Sequence, residues 1–164
     1  MGLIVAATGH RPDKLGGYSK DIESKLYDLA VEELGKINPT KVISGMALGW
    51  DQAVAKACNT LSIPWIAAVP FIGQEKAWPK ESQTFYHELL DTASEYIIVR
   101  EGTYHPSKMY ERNIWMVDRS DLVLALWDGS SGGTGHCVKY ANKVKKPIKN
   151  LWSLYNEEGL SGYC

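Results

Sequence analysis

Apolar positions in this chain follow two periods that alternate from one end to the other. Residues 3–8 (LIVAAT) and 122–127 (LVLALW) are unbroken apolar runs of strand length, the pattern of strands buried on both faces. Shorter runs at 41–44 and 65–69 read the same way, and 95–99 and 148–152 are predicted as two further strands. Between them the period becomes helical. Ile22, Leu26, Leu29, Ala30 and Leu34 recur at helical spacing after Ser19, a candidate N-cap. Val54, Ala57, Cys58 and Leu61 mark a second helix, and a third begins at Pro79 with Phe85 and Leu89 on its core face. Ser107 is predicted to cap a fourth helix that runs to Arg119. Its buried stripe is Tyr110, Ile114 and Val117, which leaves Arg112 off the stripe. The last substantial helix covers 134–144, and the tail after Lys149 matches no motif.

Strands separated by helices require crossovers. The pattern therefore predicts a single α/β domain over residues 1–164, with a mainly parallel sheet covered by helices on both faces. Ligands in such sheets bind beyond the carboxyl ends of the strands, where the strand order reverses. Four polar or glycine-bearing segments fall at those ends: 8–12 (TGHRP), 44–51 (SGMALGWD), 70–75 (PFIGQE) and 128–136 (DGSSGGTGH). The last is the most informative, because a buried strand feeding a glycine turn and then a helix is a common way to build a phosphate site. Gly132, Gly133, Thr134 and Gly135 would offer backbone N–H groups and a hydroxyl to a phosphate, with Asp128 and His136 flanking them. A plain strand-to-helix turn is the alternative. Arg11, beside Gly9 and His10, would grip phosphate in a bidentate contact or serve only as a surface cation. His10 suits either a phosphate donor or a structural histidine. Asp51 reads as a helix cap or as an acceptor for ribose hydroxyls, and Ser44, Gly45 and Gly49 precede it in a loop suited to close approach.

Composition narrows the classes. The chain has 164 residues, of which 45% are hydrophobic and 23% charged, enough for one domain with a full core. A formal net charge of −1 supplies no basic field for a long nucleic acid, although a small anion needs only a few donors. No apolar run reaches membrane-span length and no signal-peptide layout opens the chain, so a cytoplasmic location is expected, a host cytoplasm if the gene is viral. Three cysteines without CxxC spacing support neither a disulfide framework nor a zinc site, and neither a metal nor a cofactor is expected. Cys137 next to His136 would make a reactive thiolate or, more simply, a small buried side chain.

Taken in order, TGHRP (8–12), SGMALGWDQAVA (44–55), VPFIGQEKAWP (69–79), YERNIWMVDRSD (110–121) and WDGSSGGTGHCVKYA (127–141) resemble the YpsA-type branch of the SLOG superfamily. That superfamily also contains the DprA and Lonely Guy proteins. The resemblance implies a Rossmann-like fold with a pocket for a nucleotide or nucleotide-derived ligand, and it puts Arg112 and Asn113 at that pocket. Lonely Guy members hydrolyse nucleoside monophosphates, DprA members bind single-stranded DNA, and other members sense ADP-ribose-like signals. Lonely Guy enzymes place a catalytic glutamate after a Gly-Gly-x-Gly-Thr turn, whereas this chain has Lys139 near that place. A sensor or sequestering protein for a nucleotide-derived molecule is thus the favoured expectation, and a phosphoribohydrolase the alternative. In the alternative, Glu75 or Asp51 would be the catalytic carboxylate. Phe71, Trp50 and Trp78 would stack on the base or belong to the core, and Gln74 sits beside Glu75 on the same loop. Trp115, Trp152 and the tyrosines at 155–163 suggest a homo-oligomer.

Overall fold

The computed structural model describes residues 2–161. They contain six strands, β1 (Ile4–Gly9), β2 (Lys41–Ser44), β3 (Trp65–Val69), β4 (Glu95–Ile98), β5 (Leu122–Leu126) and β6 (Ile148–Asn150). The α-helices are α1 (Lys20–Ile37), α2 (Trp50–Leu61), α3 (Lys80–Leu90), α4 (Pro106–Asp118), α5 (Gly133–Lys143) and α6 (Trp152–Ser161). A 3-10 turn at Pro12–Lys14 follows β1. The strands form one sheet in the order β4-β3-β2-β1-β5-β6, and each pairing is parallel. Successive strands build outward from β1 to β4, then the chain returns to place β5 on the other side of β1. The order reverses between β1 and β5, which is where an open α/β sheet leaves a crevice.

Both faces are covered, as alternation along the central strands requires. Val5 and Ala7 of β1 and Leu124 and Leu126 of β5 join a core with α1, α2 and α3. Ala6 points the other way toward Met116 of α4, while Val123 and Ala125 pack on Val117, Cys137 and Val138. Ser19 caps α1, its Oγ accepting from Ile22 N at 3.3 Å. No helix of the described residues is long and apolar enough to cross a membrane.

Four predicted details change. The strand expected over 148–152 stops at Asn150, whose Oδ1 accepts from Trp152 N at 3.2 Å and turns the chain into α6, a helix the hydrophobic pattern did not announce. Pro79 is the N-cap of α3 and not a residue of its first turn, and the inward face of the helix is Tyr86 with Leu89, while Phe85 is 36% exposed. His105 replaces Ser107 as the cap of α4, with its Nδ1 accepting from Ser107 N. The buried stripe of α4 is Arg112, Asn113, Met116 and Val117, and Tyr110 lies outside it, exposed. The apolar tail surface also shrinks: Tyr155 is buried and its hydroxyl donates to the Leu15 carbonyl, and Tyr163 lies outside the described residues.

Candidate functional site

The register of β1 against β5 builds the site. Gly9 pairs with Leu126, so the residues that leave the two strands emerge side by side, and His10 N donates to the Leu126 carbonyl at 3.2 Å. Between these exits and α4 lies a cavity of about 590 Å³, within the range of roughly 300–1,000 Å³ common to small-molecule sites. Of the residues expected at a site, Gly9, His10, Arg11, Asp51, Arg112, Asn113, Gly132, Gly133 and Thr134 line it. They come from four separate segments of the chain. Lys14, Tyr104, Met109 and Tyr110 line it as well, and the strand-end motifs did not single them out.

The floor is polar and tightly held. Asp51, in the first turn of α2, is 6% exposed, and its Oδ1 has no hydrogen-bond partner. Burial pushes its carboxyl up to about 6, against the opposing pull of Arg112, a bond from the Ala47 backbone and the charge of Arg11. Arg112 is itself buried, and loss of solvent lowers its affinity for the proton. Its Nη1 donates to the carbonyls of Gly45 at 2.8 Å and Ala68 at 3.4 Å, and its Nε donates to Asn113 Oδ1. Asn113 Nδ2 continues to the Gly133 carbonyl at 3.0 Å and to His136 Nδ1 at 3.4 Å, tying α4 to the glycine turn.

At the other end stands the amino terminus of α5. Its N-cap is Gly132, with φ of +136° and no side-chain cap bond. That backbone conformation suits glycine, and it leaves the first N–H groups of the helix open beside the cavity, where helix dipole and donors favour an anion. The turn is braced from behind. Asp128 Oδ1 accepts from the Ser130 hydroxyl and backbone N, and these bonds hold its carboxyl well below the usual range, assisted by His10. His10 Nε2 lies 2.8 Å from Asp128 Oδ1 and 3.0 Å from the Asp128 backbone N. As Nε2–H it donates to the carboxylate; in the other tautomer it accepts the amide. Either way it couples the β1 exit to the β5 exit.

The remaining expected residues stand behind this wall or apart from it. Trp50 is fully buried, against Gly9: a Cβ on Gly9 would sit 2.4 Å from its Cδ1, so the ring is core and cannot stack on a base. Ser44 Oγ donates to the Asp51 carbonyl and accepts from Met46 N, which shapes the loop through Gly45 to Gly49, the N-cap of α2. Gln74 Nε2 donates to the Gly45 carbonyl and to the Tyr86 hydroxyl. Glu75 is 7% exposed, does not line the cavity, and pairs with His87 Nε2 at 3.0 Å. Phe71 lies edge-on to Tyr104, and Trp78 packs on Tyr86. Asp128, Gly135 and His136 support the turn without lining the cavity, and His136 stacks on Tyr110 with ring centroids 4.2 Å apart. Burial lowers the His136 pKa and raises the Cys137 thiol to about 11, which removes the thiolate reading of Cys137. Lys139, near the place of the Lonely Guy glutamate, is exposed on α5. Among the described residues no three His, Cys, Asp or Glu side chains cluster to hold a metal.

Comparison with known proteins agrees with this architecture. YoqJ, an SPbeta prophage-derived protein of Bacillus subtilis strain 168, is 34% identical over 150 residues, covering 82% of this chain and 87% of YoqJ. Among solved structures, DNA processing protein A from Helicobacter pylori, described for its single-stranded DNA binding mode, superposes with a TM-score of 0.63 at 23% identity; the match covers 89% of this chain and 63% of that one. The molybdenum cofactor carrier protein of Chlamydomonas reinhardtii gives a TM-score of 0.58 at 17% identity, covering 90% of this chain and 75% of that one. Both likenesses are of fold. The family model for YpsA (YspA SLOG family) matches residues 5–154, and the chain belongs to this family.

Proposed function

We propose that the protein binds a nucleotide or a nucleotide-derived molecule of ADP-ribose type in the strand-end cavity, as a sensor or sequestering protein. The observation that carries this reading is Asp51, a buried carboxylate with an unpartnered oxygen that lines the same cavity as an open helix N-terminus. A buried acceptor without a donor is costly unless a ligand supplies one. A molecule that carries phosphate next to a ribose satisfies both features: phosphate at Gly132, Gly133 and Thr134 with Arg11, hydroxyls at Asp51. Tyr104 and Tyr110, both exposed at the cavity edge, supply faces for a planar base. Purified protein is to be incubated with AMP, other nucleoside monophosphates, NAD, ADP-ribose and cyclic nucleotides, with melting temperature and products followed in the same samples. A rise in melting temperature with intact ligand supports the proposal, because a ligand that prefers the folded state stabilises it. No rise with any of them removes it.

A second reading, cleavage of the base–sugar bond, draws on the same residue, since a carboxyl that titrates near 6 suits acid–base work at neutral pH. Glu75 does not line the cavity. Release of free base and ribose phosphate, abolished in Asp51→Asn, is the result that would establish this reading in place of simple binding. We also propose a cytoplasmic setting, in which the buried thiols Cys58 and Cys137 stay reduced. Self-association is proposed on Trp115 and Trp152, both half-buried. Light scattering that finds only monomer at roughly tens of micromolar would rule it out.

A further inference from the structure

A second cation stands at the phosphate end of the cavity, and no strand-end motif accounts for it. Lys14 closes the 3-10 turn after β1 and lines the cavity with Ser131, Gly132, Gly133 and Thr134. Its Nζ donates to Ser130 Oγ at 2.8 Å and to the Ser131 carbonyl at 3.4 Å. The Ser130 hydroxyl proton is itself given to Asp128 Oδ1, so its oxygen meets the lysine as an acceptor only. An ammonium carries three N–H groups, and these two oxygens take two of them. Both partners are uncharged, and among the described residues Lys14 makes no ion pair, although Asp13 also lines the cavity. The site therefore holds the ammonium at the Ser131 carbonyl, two residues before the first N–H of α5, with the Asp128 carboxylate one hydroxyl away and no direct ion pair. Arg112 differs: its guanidinium is buried, fixed on the Gly45 and Ala68 carbonyls and placed beside Asp51. Arg112 serves the floor, and Lys14 serves the anion end.

Resting on the nucleotide reading above, we propose that Lys14 is the residue by which this cavity tells a phosphorylated ligand from its dephosphorylated counterpart. A phosphate at the α5 N-terminus takes the third ammonium N–H and draws the exposed side chain further onto itself, with no ion pair to break. The charge-assisted contact forms with the phosphate and not with the nucleoside, so it sets selectivity.

The test compares the unmodified protein with Lys14→Met and Lys14→Arg at constant ionic strength. Inorganic phosphate, AMP, ADP-ribose and adenosine are titrated by calorimetry and by melting temperature. In the unmodified protein, phosphate and AMP are expected to bind and to raise the melting temperature above a chloride control. In Lys14→Met phosphate and AMP each bind about tenfold more weakly, while the adenosine response is unchanged. Lys14→Arg recovers most of the loss. If Lys14 only braces the turn, the methionine variant weakens adenosine and AMP alike, and the proposal fails. It also fails if phosphate stabilises Lys14→Met as well as the unmodified protein, or stabilises neither. A phosphate response that depends on Lys14, with AMP and ADP-ribose no better than phosphate, would uphold Lys14 and overturn the nucleotide reading instead.

Discussion

Asp51 is held where its charge is disfavoured, and that gives stability a pH dependence of definite sign. Its folded-state carboxyl titrates near 6, above the ordinary aspartate value of 3.8. A carboxyl raised on folding favours the folded state below its unfolded pKa, and that advantage disappears as pH rises through the folded value. The window is therefore about pH 4 to 6, and the loss amounts to about 3 kcal/mol at most, since each pH unit separating the two values is worth about 1.36 kcal/mol. Asp51→Asn resembles the protonated form. It should leave stability unchanged near pH 4 and raise it by about 2 kcal/mol at pH 8, as read by urea melts at the two pH values. The same variant should weaken ADP-ribose binding about tenfold, since an amide presents a poorer acceptor to a sugar hydroxyl. A variant less stable at pH 8 would mean that the ionised carboxylate is structural, a partner for Arg112. The unpartnered Oδ1 argues against that.

Arg112 and Gly9 act between elements. Arg112 stitches α4 to the carbonyl after β2 and to one within β3, and stands beside Asp51. Arg112→Met should cost about 1–3 kcal/mol, since the buried Gly45 and Ala68 carbonyls lose the guanidinium as a donor. In whatever fraction stays folded, the Asp51 titration followed by carbon NMR should move above 6, because the cation that opposes burial is gone. Gly9→Ala drives a methyl into the Trp50 ring, and overpacking of this kind costs about 1–3 kcal/mol. Thermal melts should show a drop of a few degrees for each kcal/mol. These two residues mark what local patterns reveal. The six strands and five helices were readable because buried strands are continuous apolar runs and helices repeat their apolar positions. The inward turn of Arg112 and Asn113 was not, because their partners are carbonyls on other elements, and a polar residue on a stripe reads locally as a surface one. On α3 the spacing did not tell Phe85 from its neighbour Tyr86, which is the one that turns inward. Gly9, Asp51 and the Gly132 turn were legible at the strand ends; Lys14 and Tyr104 were not, since proximity across more than 100 residues leaves no local period.

Across the whole molecule, charge is placed rather than accumulated. Eighteen basic residues face nineteen acidic ones, for a formal net charge of −1, yet Arg11, Lys14 and Arg112 converge on one cavity with only Asp13 and Asp51 opposing them. That distribution suits one small anion. A nucleic acid needs cations along a track, each phosphate contact adding to the salt dependence of binding. The fold alone does not decide between these uses, for the H. pylori neighbour with its single-stranded DNA binding mode shares it, and this chain spans 63% of that protein. A fluorescent oligo-dT is therefore expected to bind no more tightly than a Kd of roughly 10⁻⁴ M at physiological salt, the weak end of non-specific affinity. AMP should displace any oligonucleotide whose phosphate occupies the α5 N-terminus in the cavity. Micromolar oligonucleotide binding that falls steeply between 50 and 200 mM salt, roughly the interval over which several released counterions are felt, would locate function on a surface outside the cavity. Asp51 would then be an orphan of folding rather than a ligand's acceptor.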